Sequence, residues 1–131
     1  MSRRVKINNH FMHKKPIAII SIGINYIGQS GQLGGCVNDS NNIIKFMKRR
    51  RGKDLVFLKQ LVDTHPISSP HYPSKANIEL AISSMVTAII TQNITDVFLH
   101  YSGHGTQVID TNGDEPDGMD EALVPVDYAL S

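Results

Sequence analysis

A histidine stands in a glycine turn directly after an apolar run, in the stretch VFLHYSGHGTQ at 97–107. Glycines on both sides of His104 let the backbone turn sharply and leave space around the imidazole. A histidine placed in this way is a natural general base, and a base needs a nucleophile to act on. The alternative is a histidine that only closes the turn, but the strand-end position favours the base. His100, four residues earlier, is expected to be a packed or half-exposed strand residue.

The candidate nucleophile among these residues is the single cysteine, Cys36, in the stretch GGCVND. A histidine close to a thiol favours the thiolate at neutral pH. If Cys36 lay beside His104, it could therefore serve as the nucleophile, in place of one from elsewhere in the protein. The alternative is a small buried hydrophobic residue at the start of a helix. We favour this alternative.

The segments around these residues alternate between strand and helix. β-Branched runs, apolar spacing and capping residues predict the elements. They are strands at 17–25, 54–63 and 95–101, helices at 39–51 and 74–90, and a short strand-like segment at 122–128. Asn38 or Asp39 is the predicted cap of the first helix, and Ser74 is the predicted cap of the second.

This β-α-β-α-β order predicts an α/β fold, with a mostly parallel sheet covered by helices. Ligands bind such sheets beyond the carboxyl ends of the strands, where the strand order reverses. If the first strand lies between the other two, the loop with Cys36 and Asp39 lies beside the turn with His104. The sequence therefore predicts a shared site at one edge of the sheet.

The composition is typical of one soluble globular domain. The 131 residues are 40% hydrophobic and 19% charged, with a formal net charge of +1. A charge so close to zero gives no global attraction to nucleic acid or anionic membrane, and we expect neither as a partner. A single cysteine excludes an internal disulfide and favours a reducing, cytoplasmic location. We expect residues 1–15 to form a poorly ordered basic arm and residues 16–131 to form the domain.

Three motifs in order, GINYIGQSGQLGGCVND, HYSGHGTQ and DGMDEALVPVDY, resemble those of the metacaspases, which are caspase-like cysteine peptidases. The resemblance extends over roughly residues 17 to 128. It implies a caspase-like three-layer α/β sandwich, with helices on both faces of the sheet, and a Cys-His dyad. It also implies no organic cofactor, frequent activation by Ca²⁺, and cleavage of polypeptides after Arg or Lys.

The resemblance assigns roles to individual residues. His104 matches the dyad histidine, and the turn around it, including Gly105, is where backbone donors for the oxyanion are expected. Asp39 and Ser102 match residues that line the pocket for the basic side chain. A carboxylate suits that pocket, because a buried Arg or Lys requires a charged partner. Asp120 matches an acidic position that helps some members to bind calcium.

The nucleophilic cysteine of the family is expected on the strand after the histidine, about 50 residues further on. No such motif follows His104 in these 131 residues, and the family has a cysteine at the position of Cys36 in addition to its nucleophile. We therefore expect these residues to be the histidine-bearing, large-subunit part of the peptidase domain, without its C-terminal strands. By themselves they should be inactive, and their own small-subunit segment is an expected partner.

The acidic loop DTNGDEPDGMDE at 110–121 suggests calcium ligands. Asp110, Asn112, Asp114 and Glu121 have the spacing of EF-hand ligands, but Glu115 occupies the position that requires glycine. A true EF-hand is therefore not expected. A looser oxygen-ligand site with Asp120, Asp114 and Asp117 is one alternative, and simple solvation of an acidic loop is the other.

Two further functions compete with the peptidase. One is a catalytically inactive caspase-like module that binds partners or basic peptides, and the other is a calcium-binding regulatory module. The basic run KRRRGK at 48–53 resembles a localisation signal or a cleavage site. The favoured interpretation is simpler, since cations at the end of a helix complement its dipole.

Overall fold

The computed structural model describes residues 15–109 and 119–128, without the side chains of 107–109 and 119–121. The elements are β1 (Ile17–Gly23), α1 (Cys36–Arg51), a 3-10 turn (Gly52–Asp54), β2 (Leu55–Val62), α2 (Lys75–Gln92), β3 (Asp96–Ser102), β4 (Gly105–Ile109) and β5 (Met119–Leu123). Except for Lys15, the predicted basic arm lies outside the described residues, as do 110–118 of the acidic loop. None of the described helices has both the length and the apolar character needed to cross a membrane.

Strand β1 lies between β2 and β3 in a three-stranded parallel sheet. All seven of its residues are buried, as expected for the central strand of a sheet covered on both faces. At its end, Gly23 pairs with Val62 of β2 and with Ser102 of β3. The carboxyl ends of the three strands therefore meet at one edge, and β1 has the central position on which the predicted shared site depends.

The sheet has a helix on each face, which makes three layers. Successive residues of β1 point to opposite faces, so Ile17 and Ile19 pack with Met47 of α1. The cluster on the other face joins β1 to α2 through Ala18, Ile20, Ile22, Ile24, Ile78, Ala81, Met85 and Ala88. Burying one such aliphatic side chain stabilises the fold by about 1.5–3 kcal/mol. The predicted α/β architecture is confirmed.

Helix α1 begins earlier than the sequence predicts. Its first residue is Cys36, and the N-cap position, Gly35, provides no side chain. Instead, the side-chain oxygen Oδ1 of Asn25 accepts hydrogen bonds from the backbone N–H groups of Cys36 (2.8 Å) and Val37 (3.3 Å). The prediction of Asn38 or Asp39 as the cap is therefore wrong, because a residue of the preceding loop satisfies the helix terminus.

The end of α1 agrees with the sequence. Its last turn carries four basic residues, Lys48 to Arg51, where they complement the helix dipole. The guanidinium of Arg51 also donates to Asp96 at 2.7 Å and to the carbonyl of Lys15 at 2.8 Å. These contacts fix the helix end against the start of β3.

The other ends show one agreement and one difference. The hydroxyl of Ser74 accepts a hydrogen bond from the backbone of Asn77 at 3.2 Å, so Ser74 caps α2 as predicted. The strand-like segment predicted at 122–128 is a strand only as far as Leu123. It pairs antiparallel with β4, a strand that the sequence analysis does not predict.

Candidate active site

A buried aspartate at the end of β2 fixes the loop that leaves β1. Asp63 is 7% exposed. Its two carboxylate oxygens accept hydrogen bonds from the backbone N–H groups of Asn25 (3.0 Å) and Ile27 (3.2 Å). Donors of this kind offset the cost of burying a carboxylate. These two hydrogen bonds fix the direction in which the loop leaves the sheet after β1.

The first turn of α1 lies against the end of β1 because Gly23 has no side chain. A Cβ at Gly23 would lie 2.3 Å from the carbonyl oxygen of Cys36 and 2.9 Å from Cβ of Ser40. Only glycine allows the two backbones to approach so closely. This approach brings Asp39, in the first turn of α1, to the carboxyl ends of the strands.

Asp39 and Ser102 meet at this edge, where the shared site was predicted. The hydroxyl of Ser102 donates a hydrogen bond to Oδ2 of Asp39 at 2.9 Å. Ser102 is the last residue of β3, and its carbonyl accepts a hydrogen bond from the backbone of Ile24 at 3.0 Å. Asp39 is exposed. Its carboxylate is therefore oriented by the protein and open to a cationic group from solvent.

A chain of buried hydroxyl groups joins the strands to α1 beside Asp39. Nδ1 of His100 lies 2.8 Å from Oγ of Ser21, which in turn lies 2.7 Å from Oγ of Ser40. The side-chain amide of Gln60 donates to Ser40 at 3.1 Å. Both serines are fully buried. Burial lowers the pKa of His100, and the charge of Asp39 opposes this effect. His100 is thus a part-buried strand residue, as expected.

The imidazole of His104 has a defined tautomer. Its Nε2 lies 2.6 Å from the carbonyl oxygen of Gly31. Because a carbonyl oxygen only accepts hydrogen bonds, Nε2 carries the proton, and in the neutral ring Nδ1 has the free lone pair. A Cβ at Gly31 would lie 3.2 Å from Nε2, so a larger residue would crowd this contact. The ring is held by one nitrogen, and among the described residues no hydrogen bond is found to the other, Nδ1, which is the nitrogen that a role as base would use.

The backbone of His104 is also fixed. Its N–H donates a hydrogen bond to the hydroxyl of Tyr26 at 2.8 Å. This N–H group is therefore occupied and is not the oxyanion donor expected in the turn. Gly105 is exposed at the start of β4, and its role in binding the oxyanion stays a prediction.

Cys36 lies at the start of α1 and is 8% exposed. Its backbone N–H is bonded to Asn25, and its carbonyl lies against Gly23. Among the described residues, no hydrogen bond joins its thiol to His104, whose ring nitrogen is bonded to Gly31. The arrangement is that of a small buried residue at the start of a helix.

The predicted metal ligands lie outside the residues whose side chains the structure describes. Asp114 and Asp117 are not among the described residues, and Asp120 lies in β5, where its side chain is not described. Within 15–109 and 119–128, no group of three or more His, Cys, Asp or Glu residues could hold a metal ion. Calcium binding by the acidic loop stays a prediction.

Four residues of this arrangement are not singled out by the sequence analysis: Asn25, Tyr26, Gly31 and Asp63. The first three lie in the quoted motif GINYIGQSGQLGGCVND, so the motif itself was the signal. For Asp63, the only signal in the sequence was its position at the end of a predicted strand. All four act at a distance along the chain, which local patterns do not reveal.

Proteins of one known family match most of this chain. The family model for the metacaspase peptidase C14 domain matches residues 18–131. Metacaspase-1A of Neurospora crassa is 44% identical over 110 residues, and Metacaspase-1 of Kluyveromyces lactis is 41% identical over 113 residues. These alignments cover 82% and 84% of this chain but 23% and 25% of the two relatives. The chain therefore spans about a quarter of the length of the curated relatives that it matches.

A crystal structure of a protein from Geobacter sulfurreducens supports the fold. It matches 85% of this chain and 39% of its own length, with a TM-score of 0.57 and 27% sequence identity. The parallel sheet between two helices, and the likeness to this structure, fit part of a caspase-like domain. Together with the family match over most of the chain, these findings show that the chain belongs to the metacaspases, the peptidase C14 family of cysteine peptidases.

Proposed function

We propose that these residues form the histidine-bearing part of a cysteine endopeptidase that cleaves after Arg or Lys. The observation that carries the proposal is the imidazole of His104, whose Nε2–H is bonded to Gly31 at 2.6 Å. This contact leaves Nδ1 available as a base at the edge where Asp39 and Ser102 meet. A positioned base and an acidic recognition group are two of the parts that such a peptidase requires.

The proposed reaction uses His104 twice. Nδ1 takes the proton of a cysteine thiol, and the thiolate adds to the carbonyl carbon of the peptide bond. The tetrahedral intermediate then collapses, the C–N bond breaks, and the imidazolium gives its proton to the leaving amine. Water hydrolyses the thioester in a second round with the same base. Gly31 holds the proton on Nε2 throughout, so the exchange takes place at Nδ1.

The proposed specificity depends on Asp39. An arginine guanidinium can pair with a carboxylate through two hydrogen bonds, whereas a lysine ammonium offers a point charge. The hydroxyl of Ser102 orients the carboxylate through its hydrogen bond of 2.9 Å. We expect substrates with Arg to bind more tightly than those with Lys.

We propose that the nucleophilic cysteine comes from a segment outside these 131 residues. The burial of Cys36 at the helix start supports this proposal. So does the position of β3 at the edge of the described sheet. A further parallel strand beside β3 would end at the same edge as Ser102 and would bring its terminal residues close to the turn with His104.

The test is an assay of the protein extended through the cysteine-bearing segment, on matched peptides with Arg or citrulline at the cleavage site. Asp39→Asn should lower kcat/KM for the Arg peptide at least about tenfold, which corresponds to about 1.4 kcal/mol. Citrulline has no charge, so the citrulline peptide should be cleaved equally by both proteins. Asp54→Asn makes the same chemical change at the other end of the sheet and should have no effect. Equal cleavage of the Arg peptide by Asp39→Asn and the parent would exclude the specificity role.

A second candidate function is a caspase-like module that binds basic peptides without cleaving them. The exposed carboxylate of Asp39, together with a single cysteine that is not bonded to His104, favours it for these residues by themselves. The same assay separates the two functions. In the extended protein, binding of the Arg peptide without turnover would support the module, whereas turnover lost in His104→Ala would support the peptidase.

A further inference from the structure

We propose that Tyr26 is a positioning residue for His104, which it holds through the backbone and the ring without contacting substrate. The inference rests on the proposed role of His104 as the base. It assigns a function to a residue of the loop after β1 that lies far from His104 in the sequence.

Tyr26 contacts His104 in two ways. The N–H of His104 donates a hydrogen bond to the hydroxyl of Tyr26 at 2.8 Å. The two rings also pack together, with centroids 4.5 Å apart and planes tilted by 32°. The third contact of His104 is the hydrogen bond between Nε2 and Gly31. The residue is thus held at its backbone N–H, along the face of its ring and at one ring nitrogen.

A second tyrosine completes the arrangement. Each phenol has one proton to donate, and the shortest contacts show where the protons lie. The hydroxyl of Tyr26 donates to the carbonyl of Val124 at 2.6 Å, and the hydroxyl of Tyr101 donates to the carbonyl of His104 at 2.5 Å. His104 is thus held at its N–H by Tyr26 and at its C=O by Tyr101. The glycine turn, which is free to bend, becomes fixed at the histidine.

The backbone of Tyr26 is unusual for its residue type. Its φ is +55°, a left-handed conformation that bulky residues rarely adopt. The side chain is nevertheless 2% exposed, and burial raises its pKa, which keeps the hydroxyl protonated as a donor. A Cβ at Gly103 would lie 2.9 Å from this hydroxyl. Both the strained tyrosine and the adjacent glycine are therefore needed to bring the phenol to the histidine.

The alternative is that Tyr26 is only a core aromatic residue, whose burial and ring contact with His104 do not depend on the hydroxyl. Tyr26→Phe separates the two roles, since phenylalanine fills the same volume and leaves the N–H of His104 without an acceptor. Tyr72→Phe is the matched control, because it removes one hydroxyl from another part-buried tyrosine, in the loop before α2.

The experiment follows His104 by NMR in the 131-residue chain. In the parent we expect a slowly exchanging His104 amide and a ring with its proton on Nε2. In Tyr26→Phe the amide should exchange about tenfold faster, as expected for the loss of one hydrogen bond, and the ring should sample both tautomers. Tyr72→Phe should leave both signals unchanged.

Two outcomes would overturn the proposal. One is a His104 amide that already exchanges freely in the parent, which can be measured whether or not the variant folds. The other is a folded Tyr26→Phe protein in which the amide and the ring are unchanged. In the extended protein, the same substitution should lower kcat about tenfold with little change in KM. Because the NMR measurements need no turnover, they test the positioning role even if the proposed peptidase function fails.

Discussion

At the residue scale, two histidines of one segment have different surroundings. His100 lies within β3 and is bonded to the buried hydroxyl of Ser21. His104 lies after the strand, with Nε2 bonded to Gly31 and Nδ1 not bonded to any of the described residues. The sequence predicts this difference, because glycines flank only His104. It does not predict Tyr26, since a tyrosine after an apolar strand is normally a core residue. Its role depends on a hydrogen bond to a residue far along the chain, and residue types alone do not indicate such a contact.

His100 should make the stability of the fold depend on pH. Burial lowers its pKa from the ordinary value of 6.5. At a pH between the lowered pKa of the folded state and the ordinary pKa of the unfolded state, His100 is therefore protonated in the unfolded chain but not in the folded one. The contribution of His100 is fully present above about pH 6.5 and is lost as the pH falls through the lowered pKa. We expect the free energy of unfolding to fall less between about pH 7 and pH 5 in His100→Gln than in the parent.

Denaturant unfolding at a series of pH values measures this difference. His65→Gln is the control, because it removes an exposed histidine from the loop after β2. This variant shows how much of any change in slope follows from the loss of a histidine outside the hydroxyl chain. Parallel curves for His100→Gln and the parent would show that the buried hydroxyl chain does not disfavour the protonated imidazole.

At the element scale, apolar runs were sufficient to predict the three parallel strands and both helices. The β-α-β-α-β order predicted parallel strands, whereas the central position of β1 was a condition of the shared site that the structure now shows. The predicted start of α1 was three residues too late, because the side chain that satisfies the helix terminus, Asn25, belongs to the preceding loop. Strand β4 was not predicted, since it begins within the glycine turn and pairs with a segment that starts inside the acidic loop.

The contact between β1 and α1 leads to a prediction at the same scale. Gly23→Ala would place a methyl group 2.3 Å from the carbonyl oxygen of Cys36, so the helix start must move. Overpacking of this kind costs about 1–3 kcal/mol. The movement should also separate Asp39 from Ser102. We expect Gly23→Ala to lower the free energy of unfolding by at least about 1 kcal/mol.

Gly52→Ala is the matched control for this substitution. Gly52 has helical backbone angles, and a Cβ there would meet nothing within 4 Å. Alanine at such a position stabilises a protein by about 0.4–1 kcal/mol, because it restricts the unfolded chain. Denaturant unfolding of both variants provides the test. If Gly23→Ala were as stable as the parent, the helix start would not be confined by β1.

At the scale of the whole molecule, the two edges of the sheet differ in their cover. Helix α1 packs on all three parallel strands, whereas α2 packs on β1 and β2. As a result, Val97 and Leu99 of β3 are each 51% exposed, and Val86 and Ile90 of α2 are exposed as well. The sequence marked these residues as apolar but did not show that they would be left exposed. Whether an apolar side chain is exposed depends on which strands the helices cover, and the residue type alone does not show this.

This exposed face should be where a further segment of the protein packs. If the cysteine-bearing segment adds a strand beside β3 and continues across this face, it will bury Leu99 in the extended protein but not in the 131-residue chain. Burial of a leucine contributes about 1.5–3 kcal/mol. We therefore expect Leu99→Lys to lower the free energy of unfolding of the extended protein by about 2 kcal/mol. In the 131-residue chain the change should stay within about 0.5 kcal/mol, as for an ordinary surface substitution.

Unfolding of four proteins, the parent and Leu99→Lys at both lengths, measures this difference directly. Ile67→Lys controls for the added charge, because Ile67 is 80% exposed in the loop after β2. It lies away from the edge formed by β3 and should be neutral at both lengths. An equal cost of Leu99→Lys in the two lengths would mean that the added segment does not cover this face of β3.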